Sequence, residues 1–197
     1  MPICELDDVR ECLGGIQSAD DDGYIERLIA RAGAFIDDQT GRQFIAAAQT
    51  RYFDPTDPEV VDGPYLYLDK DLVTTPTTLT NGDGDVLTVA TEYLKLPINN
   101  DGGPYHTIKL VESGGISWTY DTDPEMAISI AASWGYAATV PTAIMEAGAL
   151  LAAYYYRARE AGPDQDRTII ANGTVIAPSS VPGLVEEMIA PYRPKFQ

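Results

Sequence analysis

Apolar residues recur at helical spacing towards both ends of the chain and at strand-like spacing in its middle. Leu6, Val9 and Leu13 fall on one face and Gly14-Gly15 supplies a stop, which predicts a short helix over Leu6–Leu13. Ser18-Ala19-Asp20-Asp21-Asp22 is a second helix start, because side-chain oxygens satisfy free amides and carboxylates suit the positive end of a helix. Ile25, Leu28, Ile29, Ala32, Phe35 and Ile36 then repeat at helical spacing as far as about Thr40, where Gly41 provides the stop.

Between residues 42 and 140 the pattern changes. Proline and glycine become frequent, and short β-prone runs alternate with turn signals. Strands are predicted at Thr50–Phe53, Tyr65–Leu68, Thr77–Thr80, Val86–Ala90, Glu92–Leu96, Thr107–Val111 and Ala127–Ala132, with a hairpin turn at Asn81-Gly82-Asp83-Gly84. A stretch of roughly a hundred residues is too long for a plain loop, so it reads as an antiparallel sheet unit inserted between helices.

Helix returns with Pro141 in a first turn and Ala143 to about Ala161 behind it, ending at Gly162-Pro163. Ala143, Ala147, Gly148, Ala149, Ala152 and Ala153 allow close approach and mark this as a central, packed helix. Tyr154, Tyr155 and Tyr156 are consecutive, so at about 100° apart they cannot all face one core. They are candidates either for a tyrosine rim with solvated hydroxyls or for a subunit interface, where tyrosine is enriched. Thr168–Ile176 reads as a hairpin centred on Asn172-Gly173, and Pro182–Ala190 as a last helix with Leu184, Val185, Met188 and Ile189 on one face. The expected fold is α+β. Residues 1–41 and 141–190 supply a bundle of three to four helices, 42–140 an inserted antiparallel β unit, and 191–197 an extended tail.

Composition adds one fact of consequence. The 197 residues include 30 Asp and Glu against 13 Lys and Arg, a net charge of −17. A nucleic-acid binder needs cations to displace the counterions of phosphate, so gripping DNA is not expected of this chain. The N-terminus lacks the basic start and apolar run of a secretory signal, and the most apolar stretch, Ala143–Tyr156, is too short to span a bilayer. A soluble protein made in the cytoplasm, without a membrane partner, is expected.

The residues for chemistry are sparse. His106 is the sole histidine and opens a predicted strand, and Cys4 and Cys12 form no C-x-x-C pair. Neither a phosphate-binding glycine loop nor a nucleophile elbow occurs. Asn81, Asp83, Asp85 and Glu92 match positions 1, 3, 5 and 12 of a calcium-loop template, yet Val86 stands where that template needs glycine. Asp20, Asp21 and Asp22 are explained by capping. No enzyme, metal or cofactor is expected. The tail Tyr192-Arg193-Pro194-Lys195-Phe196-Gln197 is basic and carries two aromatic anchors, the composition of a docking peptide.

Several segments recur together in one order: Thr40-Gly41-Arg42-Gln43-Phe44, Thr50-Arg51-Tyr52-Phe53-Asp54, Tyr65-Leu66-Tyr67-Leu68-Asp69, Ser133-Trp134-Gly135-Tyr136, Val140-Pro141 and Pro191-Tyr192-Arg193. In this the chain resembles the head–tail connector proteins (adaptor, or head-completion proteins) of tailed bacteriophages and gene-transfer particles. The resemblance implies a homo-oligomeric ring, typically a dodecamer, beneath the portal protein in the virion neck. It implies that Tyr192, Arg193, Pro194, Lys195 and Phe196 dock on the portal, that a stopper or other neck protein binds the far face, and that DNA passes through without specific binding. Another neck or tail ring protein (a stopper or tail terminator) and a calcium- or carbohydrate-binding β module are the alternatives. The long helix after Pro141 argues against the first.

Overall fold

Four helices and a seven-stranded antiparallel sheet dominate the residues that the computed structural model describes, which are 2–15, 18–100, 102–160, 169–171, 174–176 and 181–194. Two compact units divide the chain: Met1–Gly41 with Val140–Gln197, and Arg42–Thr139.

The first unit is helical. Helix α1 (Leu6–Leu13) opens on a reciprocal capping box, with the Glu5 amide donating to Asp8 Oδ2 at 2.7 Å, and closes on left-handed Gly14. The second start signal splits in two. Ser18 Oγ accepts from the Asp20 amide at 3.3 Å and caps a 3-10 turn over Ala19–Asp21, and α2 (Asp22–Thr40) begins only after it. At the other end, Thr40 Oγ1 donates back to the Ile36 carbonyl at 2.7 Å and Gly41 turns left-handed at φ 64°. Helix α3 (Thr142–Glu160) starts one residue earlier than the sequence pattern suggests. Pro141 stands just outside it and its carbonyl accepts the amide of Met145 at 3.0 Å. Helix α4 (Gly183–Ile189) runs into a 3-10 turn over Ala190–Tyr192, after which Arg193 is extended.

Helices α1, α2 and α4 each pack on α3. The apolar periodicity of α2 is its buried face, through Ile25, Leu28, Ile29, Ala32 and Ile36. Ala147, Leu151 and Ala152 of α3 are sealed from solvent. A Cβ on Gly148 would lie 2.9 Å from Ile3 Cγ2, so this glycine makes room for the segment ahead of α1. On α4, Val185 and Ile189 are buried but Leu184 is 57% exposed, a correction to the single apolar face read from the sequence. In a helix of seven residues the narrow buried stripe has room for positions 185 and 189 only.

The second unit is the sheet, ordered β1-β7-β3-β6-β5, with β2 beside β3 and β4 beside β7. Its strands are β1 (Ala47–Phe53), β2 (Val61–Asp62), β3 (Tyr65–Leu72), β4 (Thr78–Thr80), β5 (Tyr93–Leu96), β6 (Tyr105–Leu110) and β7 (Ile128–Trp134). Strand β7 alternates strictly, burying Ile128, Ile130, Ala132 and Trp134. With Phe53, Leu66, Leu72, Leu79, Ile108 and Leu110 these form one core.

Several strand boundaries differ from the sequence pattern for identifiable reasons. Strand β1 starts at Ala47 because it is paired along its whole length with β7, although Ala47-Ala48-Gln49 has little β propensity of its own. Strand β3 runs on through Asp69-Lys70-Asp71, because each charge finds a partner: Arg51 pairs with Asp69, Lys70 Nζ lies 3.0 Å from Gln43 Oε1, and Arg42 Nη1 lies 2.5 Å from Asp71 Oδ2. A register shift after Tyr67 lets Leu72 reach both Tyr105 and Trp134. Val86–Ala90 is not a strand. It makes only isolated bridges, Thr80 with Val86 and Val89 with Tyr93, and a turn closed by the Glu92 amide on the Thr88 carbonyl bends it away. Strand β2, which the sequence pattern missed, is two residues joined to β3 by Gly63-Pro64. In the helical unit, β8 (Ile169–Ala171) and β9 (Thr174–Ile176) pair antiparallel as expected, while the Asn172-Gly173 turn lies outside the described residues.

Candidate functional site

Three of the sequence signatures converge in the sheet unit. Phe44 is fully buried with its ring 5.4 Å from Tyr136, and the Arg42 guanidinium lies 5.3 Å from the centre of the same Tyr136 ring while pairing with Asp71. The Tyr136 amide donates to the Gln43 carbonyl and the Gly135 amide to the Asp71 carbonyl, each at 2.8 Å. Gly135 stands at φ 152°, and a Cβ there would fall 2.9 Å from Ala46 Cα, so no other residue fits this crossing. The signature residues thus form a structural clamp.

The tyrosine triplet occupies the other unit and is divided as its spacing requires. Tyr156 is buried, its ring 6.0 Å from Tyr24 and its hydroxyl donating to Asp21 Oδ2 at 3.0 Å. Tyr154 and Tyr155 are half-buried, with ring centres 6.1 Å apart. The Arg31 guanidinium sits 4.3 Å over the Tyr155 ring, and Arg159 sits 4.3 Å over Tyr24, with Arg27 at 5.7 Å from Tyr24. This layer of guanidinium on phenol, each cation held by a ring quadrupole, had no signal in the sequence beyond tyrosine and arginine on two separate helices.

In the tail, Tyr192 ends the last 3-10 turn and is half-buried, whereas Arg193 and Pro194 are exposed. Arg193 Nε donates to the Gln39 carbonyl at the end of α2, at 3.2 Å. Lys195 and Phe196 lie outside the described residues.

The candidate chemical groups stay apart or are otherwise engaged. Asn81 is buried and serves as a turn clamp, donating to the Ser117 carbonyl at 3.0 Å, while Asp83 Oδ1 accepts from the Asp85 amide at 3.0 Å. Glu92 Oε2 instead accepts from the Thr88 amide at 2.6 Å. Among the described residues no three His, Cys, Asp or Glu side chains are grouped to hold a metal ion. His106 is exposed on β6, with Nδ1 2.9 Å from Thr107 Oγ1. Burial, helped by the Asp8 carboxylate, pushes the Cys4 thiol up to about 12, and burial raises Cys12 as well. Both thiols are therefore predominantly protonated near pH 7. Among the described residues no helix is long and apolar enough to cross a membrane.

No curated protein matches the sequence. Among solved structures, the chain is similar to one in the neck of an empty GTA particle computed with C6 symmetry. The two share 20% identity at a TM-score of 0.58, covering 98% of this chain and 89% of that one. It is also similar to a chain of the virion of a native gene transfer agent (GTA) particle, at 18% identity and a TM-score of 0.55, with the same coverage. At such identities the likeness speaks for a shared fold. A family model, that of the head completion protein, matches residues 2–194, almost the whole sequence, and the chain therefore belongs to the head completion protein family.

Proposed function

We propose that this chain is a structural adaptor subunit of a phage or phage-like neck, forming a ring under the portal that extends the DNA channel and connects head to tail. The observation that carries this reading is the family match over residues 2–194, joined by a fold shared with a chain from the neck of a particle computed with C6 symmetry. A sixfold neck suits rings of six or twelve subunits, and the proposed ring is a dodecamer. The net charge of −17 per copy supports a channel wall that repels DNA and lets it slide. Tyr192, Arg193, Pro194, Lys195 and Phe196 are assigned to docking on the portal, and a stopper or other neck protein to the opposite face. The virion neck is then the protein's place of work, and its role is mechanical.

The test is imaging of what co-purifies with a tagged copy from producing cells, beside a copy lacking residues 192–197. A symmetric ring stacked on a larger ring, lost with the tail, is the expected result. A full-length chain that purifies alone, with no ring in any particle, sinks the proposal.

A further inference from the structure

Acidic residues outnumber basic ones by more than two to one, so an arginine on this surface should find a carboxylate easily. Arg27 and Arg31 do not. Both are exposed on α2, one turn apart on the same face, and neither makes an ion pair or a hydrogen bond among the described residues. They are held instead by tyrosine, Arg31 over Tyr155 and Arg27 beside Tyr24. Stacking fixes the plane of a guanidinium while leaving its five N–H donors free for an anionic partner. Ala30 and Ala34 are exposed on the same side of α2 and leave room for a second backbone to come close.

The matching surface is on α4. Leu184 is 57% exposed, and Glu187 lies one turn on, on the same face. Glu186 and Glu187 are exposed, and neither makes an ion pair among the described residues. Among the described residues, one helix thus offers arginines without ion pairs beside half-buried tyrosine, and another offers glutamates without ion pairs beside an exposed leucine. The two faces differ, and contacts between unlike faces are head-to-tail contacts, the kind that closes a ring.

We propose that Arg27, Arg31 and Tyr155 of one copy receive the Leu184–Glu187 face of α4 from the next copy; this rests on the ring reading given above. Phosphate is the poorer occupant. Glu26 and Asp38 are exposed on the same helix, and a chain of −17 repels a polyanion outside a close, specific contact.

The test uses neck assemblies from producing cells in which this chain carries R27E/R31E, E186K/E187K, or all four changes. Each double variant is expected to leave the neck and to weaken subunit association by about 30-fold or more, since each sets like charges face to face. The quadruple variant restores the opposite signs and should return to the neck. It also guards against misfolding, because recovery excludes collapse of the fold by its component changes. Full occupancy of the neck by R27E/R31E, or failure of the quadruple variant alongside folded doubles, overturns the contact while leaving the ring reading intact. A wild-type chain absent from every ring removes both. Loss of duplex-DNA binding in R27E/R31E with rings preserved reassigns the arginines to nucleic acid.

Discussion

Single atoms decide several positions. A Cβ on Gly82 would lie 2.0 Å from the Thr119 carbonyl oxygen, where backbone meets backbone. Gly82→Ala should destabilise by at least about 3 kcal/mol in a urea melt. Gly33 and Gly148 form an instructive pair, because both look towards Ile3 from a helix interior. At Gly33 the new methyl would meet Ile3 at 3.5 Å, ordinary contact, so Gly33→Ala should gain about 0.5–1 kcal/mol from helix propensity. At Gly148 the same methyl would fall 2.9 Å from Ile3 Cγ2, and the gain should vanish or reverse. Stabilisation of both variants alike would show that the segment before α1 yields freely. Cys4 gives the pH dependence. Its folded thiol is raised to about 12 from an ordinary value of 9.0, so the folded state keeps the proton when the unfolded chain has lost it. The stability it contributes is complete below about pH 9 and drains away as pH climbs towards 12. Cys12 and Tyr93, both raised by burial, act in the same sense. Between pH 8 and 10.5 the fall in Tm should be shallower in Cys4→Ala than in the parent, and iodoacetamide should label Cys12 well before Cys4.

Among the elements, those whose own sequence carries a strong period were legible in advance, and those that borrow their conformation from a partner were not. Helices α1 and α2 announce themselves through Val9 and through the Ile25–Ile36 face, with Gly14 and Gly41 as stops. Strand β7 does so through its alternation, but its last two residues, Ser133 and Trp134, are held by pairing with Ala48 and Ala47. The segment Val86–Ala90 misleads because valine and leucine promise a strand, yet Leu87 alone is buried and Val86 is 61% exposed. Val86→Lys should therefore change stability by less than about 0.5 kcal/mol, whereas Leu87→Ala should cost about 2–4 kcal/mol. Equal losses would restore a strand there. The clamp of Arg42, Phe44, Asp71, Gly135 and Tyr136 was visible only as words in a family signature, because its contacts join residues far apart in the chain. For the same reason the arginine–tyrosine layer needed two helices brought side by side before it could be seen.

At the scale of the whole molecule, charge sets how the proposed ring should respond to salt, and two effects of opposite sign compete. Each copy carries −17, and that repulsion acts over the Debye length, about 30 Å at 0.01 M salt and about 8 Å at 0.15 M. The proposed contacts of Arg27 and Arg31 with Glu186 and Glu187 act at hydrogen-bond range beside tyrosine and leucine, and salt screens such close pairs far less. Raising salt from 0.01 to 0.15 M should thus strengthen assembly, because the long-range penalty falls first. Going on to 1 M, where the Debye length is about 3 Å, should weaken it again as the pairs themselves are screened. Sedimentation velocity across that range, on the full-length chain with its proposed portal partner, should show a maximum at intermediate salt. R27E/R31E/E186K/E187K should follow the same curve, since its net charge and its pairs are both preserved. R27E/R31E alone should lose the high-salt decline and gain association steadily, having only repulsion left to screen. A parent ring indifferent to salt from end to end would mean that neither the −17 nor the arginine–glutamate contact governs assembly, and that apolar burial around Leu184 and Tyr155 holds the ring by itself.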